Sequence, residues 1–190
     1  MRIIAGTAKG RQIVAPSGIG TRPTAGKVRE AVFSVIAARI PDSCVLDAFA
    51  GTGAMGIEAL SRGAHQAVFI EKHKATYVRL KKNLEICGFE GQPAYYGDCL
   101  KIMARAHEFN FQFDIIFIDP PYYKDLLFPV LKLIVAQNVL AQDGIIVIET
   151  AKNVDVKDLF KELDMDVLKK SVYGDSVIYY VGQKSQKEEC

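Results

Sequence analysis

Apolar runs recur along this chain at the spacing of a layered α/β sheet. Short runs at 43–48, 66–71, 93–97, 113–118 and 144–149 have the length of buried strands. Stretches of helical period between and after them predict helices near 54–62, 74–87, 98–107, 125–136 and 155–163. Such alternation predicts a mostly parallel sheet flanked by helices. The pattern changes at the end, where the runs 165–172 and 177–181 enclose Tyr173-Gly174-Asp175-Ser176. Two runs around a tight turn predict a hairpin, and hence an antiparallel edge.

The front of the chain has a different rhythm. The apolar pairs Ile3-Ile4 and Ile13-Val14 flank Gly6 and Gly10, which predicts an extended or hairpin-like arm. Pro16, Gly18, Gly20 and Pro23 make a loop, after which Thr24 is placed to cap a helix over 25–39 with Val28, Val32, Val35 and Ile36 on one face. Charge marks the same segment. Residues 1–40 hold seven basic residues (Arg2, Lys9, Arg11, Arg22, Lys27, Arg29, Arg39) against Glu30, a balance of +6. The whole chain carries +2, so residues 41–190 carry −4. A basic arm on a mildly acidic body fits a polyanionic partner held at one end. The expected division is an arm and helix at 1–40, a catalytic domain at 41–182 and a disordered polar tail at 183–190.

Two motifs carry chemistry. The first follows the run at 43–48: Asp47-Ala48-Phe49-Ala50-Gly51-Thr52-Gly53-Ala54-Met55-Gly56 is a strand end, a glycine loop and a helix start. Gly51, Gly53 and Gly56 match G-x-G-x-x-G, which brings backbone close to a ligand over a helix N-terminus. Glu71 lies 20 residues past Gly51, at the end of the next strand, where a carboxylate can take both ribose hydroxyls. Asp98, after the third strand, can accept from an adenine amino group or cap the following helix.

The second motif is Asp119-Pro120-Pro121-Tyr122, directly after the run at 113–118. It sits at a strand's carboxyl end, where open α/β sheets bind ligands. The prolines cannot continue a central strand and stiffen the backbone. They frame a carboxylate with an aromatic ring, which suits a flat substrate bearing an amino group, such as a nucleobase. Asp119 and the Pro120 carbonyl can each accept an N–H, and Tyr122, or alternatively Tyr123, can stack on the base.

Asp47 before the glycine loop, paired with Asp-Pro-Pro-Tyr after the fourth strand, resembles class I methyltransferases acting on amino groups. The amino-terminal stretches Arg2-Ile3-Ile4-Ala5-Gly6, Gly10-Arg11, Thr21-Arg22-Pro23-Thr24 and Lys27-Val28-Arg29-Glu30-Ala31-Val32-Phe33 resemble the RsmD family, as do the segment 47–64 and Tyr173-Gly174-Asp175-Ser176. The resemblance covers roughly residues 1–182 and departs at Gly26, Lys27 and Ser34, where the family pattern has Asp, Arg and Asn.

This resemblance implies a Rossmann-like class I methyltransferase fold: a mostly parallel seven-stranded sheet with an antiparallel carboxyl-terminal hairpin. It implies S-adenosylmethionine as cofactor, with Asp47, Gly51, Gly53, Glu71 and Asp98 binding it. Asp119, Pro120 and Tyr122 would carry the chemistry, and Arg22, Lys27, Arg29 and Tyr122 would hold the substrate. That substrate would be a guanine of 16S rRNA, free or in a small-subunit assembly intermediate, methylated on N2 by a monomer. The alternative is an adenine-N6 methyltransferase, which usually has Asn in place of Asp119.

The remaining composition narrows the setting. Cys44, Cys87, Cys99 and Cys190 show no C-x-x-C spacing, and His65, His73 and His107 show no ligand spacing with them, so neither a disulfide framework nor a metal is expected. Only three apolar residues separate Arg2 from Gly6, so no secretory signal is expected, and no apolar run reaches the roughly 18 residues of a membrane span. A cytoplasmic protein is the expectation.

Overall fold

The computed structural model describes residues 1–14, 23–109, 111–120, 123–154 and 156–184, with side chains for all of these except 23–25, 123–125 and 157. Seven strands form one sheet: β1 (Cys44–Asp47), β2 (Gln66–Glu71), β3 (Ala94–Tyr96), β4 (Phe113–Ile118), β5 (Leu140–Ala151), β6 (Met165–Tyr173) and β7 (Ser176–Gln183). Their order is β3-β2-β1-β4-β5-β7-β6. β1 to β5 pair in parallel, and β7 runs antiparallel to both β5 and β6. The expected sheet and its antiparallel carboxyl-terminal hairpin are therefore present. Strand order reverses between β1 and β4, the place where open α/β sheets form a binding crevice.

Strand alternation splits the interior into two apolar layers. Val45, Phe69, Ile115, Phe117 and Val147 face one side, where α1 (Pro23–Val35), α2 (Ala54–Ser61) and α3 (Lys74–Cys87) pack. Leu46, Ile70, Ile116, Ile118 and Ile148 face the other, covered by α4 (Cys99–Met103), α5 (Tyr123–Ala136) and α6 (Lys157–Glu162).

The first helix differs from its expected frame. It begins at Pro23, so Thr24 lies inside it and is not its cap. Proline suits this first position because its missing N–H would be unpaired there anyway. The helix ends at Val35, and a short 3-10 turn at Ala37–Arg39 follows. Its buried face is Val28, Val32 and Phe33, with Ile36 just past its end also buried, whereas Val35 faces solvent.

The amino-terminal arm is docked. Residues 1–14 form a narrow loop closed by an Arg2–Gln12 bridge, and Ile3, Ala8 and Ile13 are buried in the α1–α3 layer. Glu58 of α2, wholly buried, accepts from Ile4 N at 2.8 Å and Ala5 N at 3.0 Å. Ser61 Oγ accepts from Ala8 N, and Asn83 of α3 both accepts from Val14 N and donates to Val14 O. Gly6 (φ +82°) approaches Ser61 so closely that a Cβ there would lie 1.5 Å from the Ser61 carbonyl oxygen. The arm thus has a fixed seat on α2 and α3.

Candidate active site

The glycine loop after β1 is built for close approach. Gly51 adopts φ +54° with open space where a Cβ would point, a cradle that any side chain would fill. Gly53 adopts φ +85° and would drive a Cβ to 2.5 Å from Leu80. Gly56 lets α2 lie on the sheet, since a Cβ there would meet the Phe69 ring at 2.3 Å. These are the three jobs of the G-x-G-x-x-G pattern: tight turn, ligand approach and helix–sheet packing.

Carboxyl groups stand at the ends of four neighbouring strands. Asp47 ends β1 and Glu71 ends β2. Asp119 follows β4, and Glu149 lies near the end of β5. All four fall on the face shared by Val45, Phe69, Phe117 and Val147, two residues on from the last three in the case of Glu71, Asp119 and Glu149. Asp47 is buried, and its Oδ2 accepts from Gly56 N at 3.0 Å. Burial above all, with the nearby Glu71, pushes its carboxyl up to about 7 against the pull of the Gly56 N–H.

Asp119 is pushed up to about 7 as well, first by the protein crowded around it, then by Glu149 and Asp47. Asp119 nevertheless has an exposed surface, so solvent screening tempers that shift. A crevice of mutually repelling carboxyl groups favours a cationic guest. Among the described residues no group of three or more metal-ligating side chains is placed to hold a metal.

The other site residues divide. Glu71 is buried, and its Oε1 accepts from His73 N at 2.6 Å, the one hydrogen bond to its carboxylate among the described residues. Pro120 is buried behind Asp119. Asp98 is the N-cap of α4: Oδ1 accepts from Leu100 N and Lys101 N, and Oδ2 takes Lys72 Nζ at 2.9 Å. Of its two expected roles the cap is therefore visible, and Lys72 is its ion-pair partner.

Lys27 is exposed on α1. Arg29 corrects its expected role in holding substrate. It is 5% exposed and turned inward, donating to Arg2 O and lying 3.7 Å from Glu58. A guanidinium in that position holds the arm and is not available to a phosphate. Arg22, Pro121 and Tyr122 lie outside the described residues, as does the side chain of Tyr123.

Sequence reasoning missed Glu58 and Ser61, which seat the arm, Asn83, which donates to the Thr52 carbonyl of the glycine loop, and Glu149 beside Asp119. A signal existed for Glu58, which sits among Ile57, Ala59 and Leu60 in a helix with no polar stretch to place it in solvent.

Comparison with known proteins agrees with this geometry. Residues 1–182 match the family described as Conserved hypothetical protein 95. Ribosomal RNA small subunit methyltransferase D of Haemophilus influenzae is 34% identical over 176 residues, 92% of this chain and 89% of that protein. The protein of the same name from Escherichia coli is 35% identical over 150 residues, 79% of this chain and 74% of that one. Among solved structures, yhhF of Escherichia coli, provisionally assigned as a methyltransferase, superposes with a TM-score of 0.84 at 31% identity, covering 98% of this chain and 99% of its own.

Proposed function

The chain belongs to this family, the RsmD family, and from that premise we propose that it methylates the exocyclic N2 of a guanine in small-subunit rRNA, using S-adenosylmethionine. One observation carries the reading: Asp47 and Asp119 flank the strand-order reversal, with the open cradle of Gly51 beside them.

The residues present fit the cofactor. Glu71 would take the ribose hydroxyls, Gly51 and Gly53 would lie beneath the methionine part, and Asp47 would fix the loop through Gly56 N. Asp98 borders the adenine end, and its Oδ2 can accept one more bond beyond Lys72. When bound, S-adenosylmethionine supplies a methyl group on a cationic sulfur, and the row of carboxyl groups offers that charge a favourable field.

The protein's remaining task is to aim a poor nucleophile. The lone pair of a guanine amino group is delocalised into the ring. Asp119 accepts one N–H and the Pro120 carbonyl another, which turns the lone pair toward the methyl carbon. Asp119 then receives the proton as the nitrogen becomes cationic. Tyr122 stacks on the base, worth about 1–3 kcal/mol. A base must leave its stack to enter, so an unpaired or loop nucleotide is the target.

Asp119 also selects the base. Guanine offers N1–H beside N2, and a carboxylate accepts from both. Adenine N1 is itself an acceptor and would face the carboxylate with a lone pair, a costly arrangement.

Lys27 on α1 and Arg22 before it supply phosphate contacts next to the docked arm. The protein acts in the cytoplasm as a monomer on rRNA or an assembling small subunit. No helix among the described residues is long and apolar enough to cross a membrane.

Nucleoside mass spectrometry of 16S rRNA from cells with and without the gene tests the reading. Loss of one N2-methylguanosine is expected, and an unchanged complement would refute it.

A further inference from the structure

Glu149 belongs to neither motif, yet the sheet delivers it to the crevice. Phe117 pairs with Val147 and Ile118 with Ile148, and continuing that register past the end of β4 brings Asp119 alongside Glu149, which acts on it as a neighbouring charge. Both then share the face of Phe117 and Val147. Glu149 is held there from the other side: Ser176 Oγ donates to its Oε1 at 2.7 Å. Ser176 opens β7 and closes the Tyr173-Gly174-Asp175-Ser176 turn, where Gly174 takes φ +59°. In the β5–β7 ladder Glu149 pairs with Ile178 and Ala151 with Ser176, so Ser176 reaches Glu149 along the diagonal on one face. The carboxyl-terminal hairpin, otherwise remote from the chemistry, thereby fixes a second carboxylate beside Asp119.

We infer that Glu149, anchored by Ser176, is a positioning residue that makes its neighbour Asp119 a stronger proton acceptor for the amino group being methylated. The inference rests on the reading of Asp119 above.

A lone exposed aspartate is a weak base near neutrality, because its carboxyl ordinarily ionises near 4. A second carboxylate fixed alongside favours its protonated form and so strengthens it as an acceptor. Among the described residues, the charges acting on Asp119 agree in sign. β1 presents Asp47, itself beside Glu71 of β2, and β5 presents Glu149. α1, packed over β4 through Phe33 on Phe117, leaves Lys27 and Glu30 in solvent and turns Arg29 to Glu58. The step balances. N2 bonds to the methyl carbon as the carbon–sulfur bond breaks, and that bond's electron pair stays on sulfur. The N2 proton passes to Asp119 and then to water.

Two measurements on the full chain test the inference. Carbon-detected NMR titration of aspartate carboxyls, with Asp119→Asn to assign the signal, reads Asp119 without cofactor or RNA. Glu149→Gln should lower its midpoint by about one pH unit. Ser176→Ala, which frees Glu149 to turn away, should lower it by less. Single-turnover methylation across pH should show the acid limb moving down by the same amount in Glu149→Gln, without a gain at the plateau. An Asp119 midpoint unchanged in both variants overturns the inference, whatever the activity. A midpoint that moves while the acid limb stays in place overturns it too, and leaves the methyltransferase reading standing. Failure of that reading is separately visible, as absence of methyl transfer by the unaltered protein.

Discussion

Replacing Glu58 by Gln should unseat the arm and cost a large share of the protein's stability. Glu58 is wholly buried and collects three donors, Ile4 N, Ala5 N and Arg62 Nε at 2.8 Å, while the Arg29 guanidinium lies 3.7 Å away as an ion-pair partner. Arg29 depends on it most. Its burial already lowers the guanidinium's pKa, and Glu58 is the charge that opposes this. Its Nε has no hydrogen-bond partner of its own. Removing one member of a buried ion pair strands the other and costs about 3–5 kcal/mol.

The amide bonds from Ile4 and Ala5 weaken as well, because bonds to a charged acceptor are worth about 1.5–3 kcal/mol each and those to a neutral one about 1. These terms share one carboxylate and do not add, so the expected loss is about 3–5 kcal/mol in total. Against a usual stability of about 5–15 kcal/mol the variant is marginal. Urea unfolding measures the loss, and hydrogen exchange at Ile4 and Ala5 reports the arm. A loss below about 1 kcal/mol with those amides still protected would refute the docking argument.

Glu71→Ala should weaken S-adenosylmethionine binding by about 3 kcal/mol, over a hundredfold, when titrated by calorimetry on a folded variant. Unchanged affinity would show the ribose to be elsewhere. Asp119→Ala should lose most methyl transfer in single-turnover kinetics at saturating RNA while cofactor affinity stays within a few-fold; a near-normal rate would remove Asp119 from the chemistry. Reversing Arg22 and Lys27 to Glu should weaken RNA binding and flatten its salt dependence by about 0.7–0.9 in log–log slope for each phosphate no longer neutralised, with cofactor binding unchanged. An unaltered RNA affinity would make these residues plain solvated surface.

Much of the sheet was legible because its strands are unbroken apolar runs. Those at 66–71 and 113–118 coincide with β2 and β4. The start of β5 was not. Gln142-Asp143-Gly144 reads as a turn, but pairing jumps from Phe113–Leu140 to Ile115–Ile145, so this stretch bulges within a strand that begins at Leu140. The glycine loop and Glu71 were legible because spacing alone places them. The row of four carboxyl groups was only half legible, since Glu149 becomes the neighbour of Asp119 through strand register that no local pattern encodes.

Arg29 was misread by charge counting. Val32 and Phe33, three and four residues on, are both buried, and that periodicity puts Arg29 on the inner face. The docked arm was illegible for a related reason: the partners of Ile4, Ala5 and Ala8 lie more than 50 residues away.

Reconstitution tests the central claim most directly. The purified protein, S-adenosylmethionine carrying a labelled methyl group, and small-subunit rRNA, free or in partly assembled particles, are combined, and the RNA is digested to nucleosides. The label is predicted in N2-methylguanosine at a single position. Label in N6-methyladenosine, or in protein alone, would contradict the account.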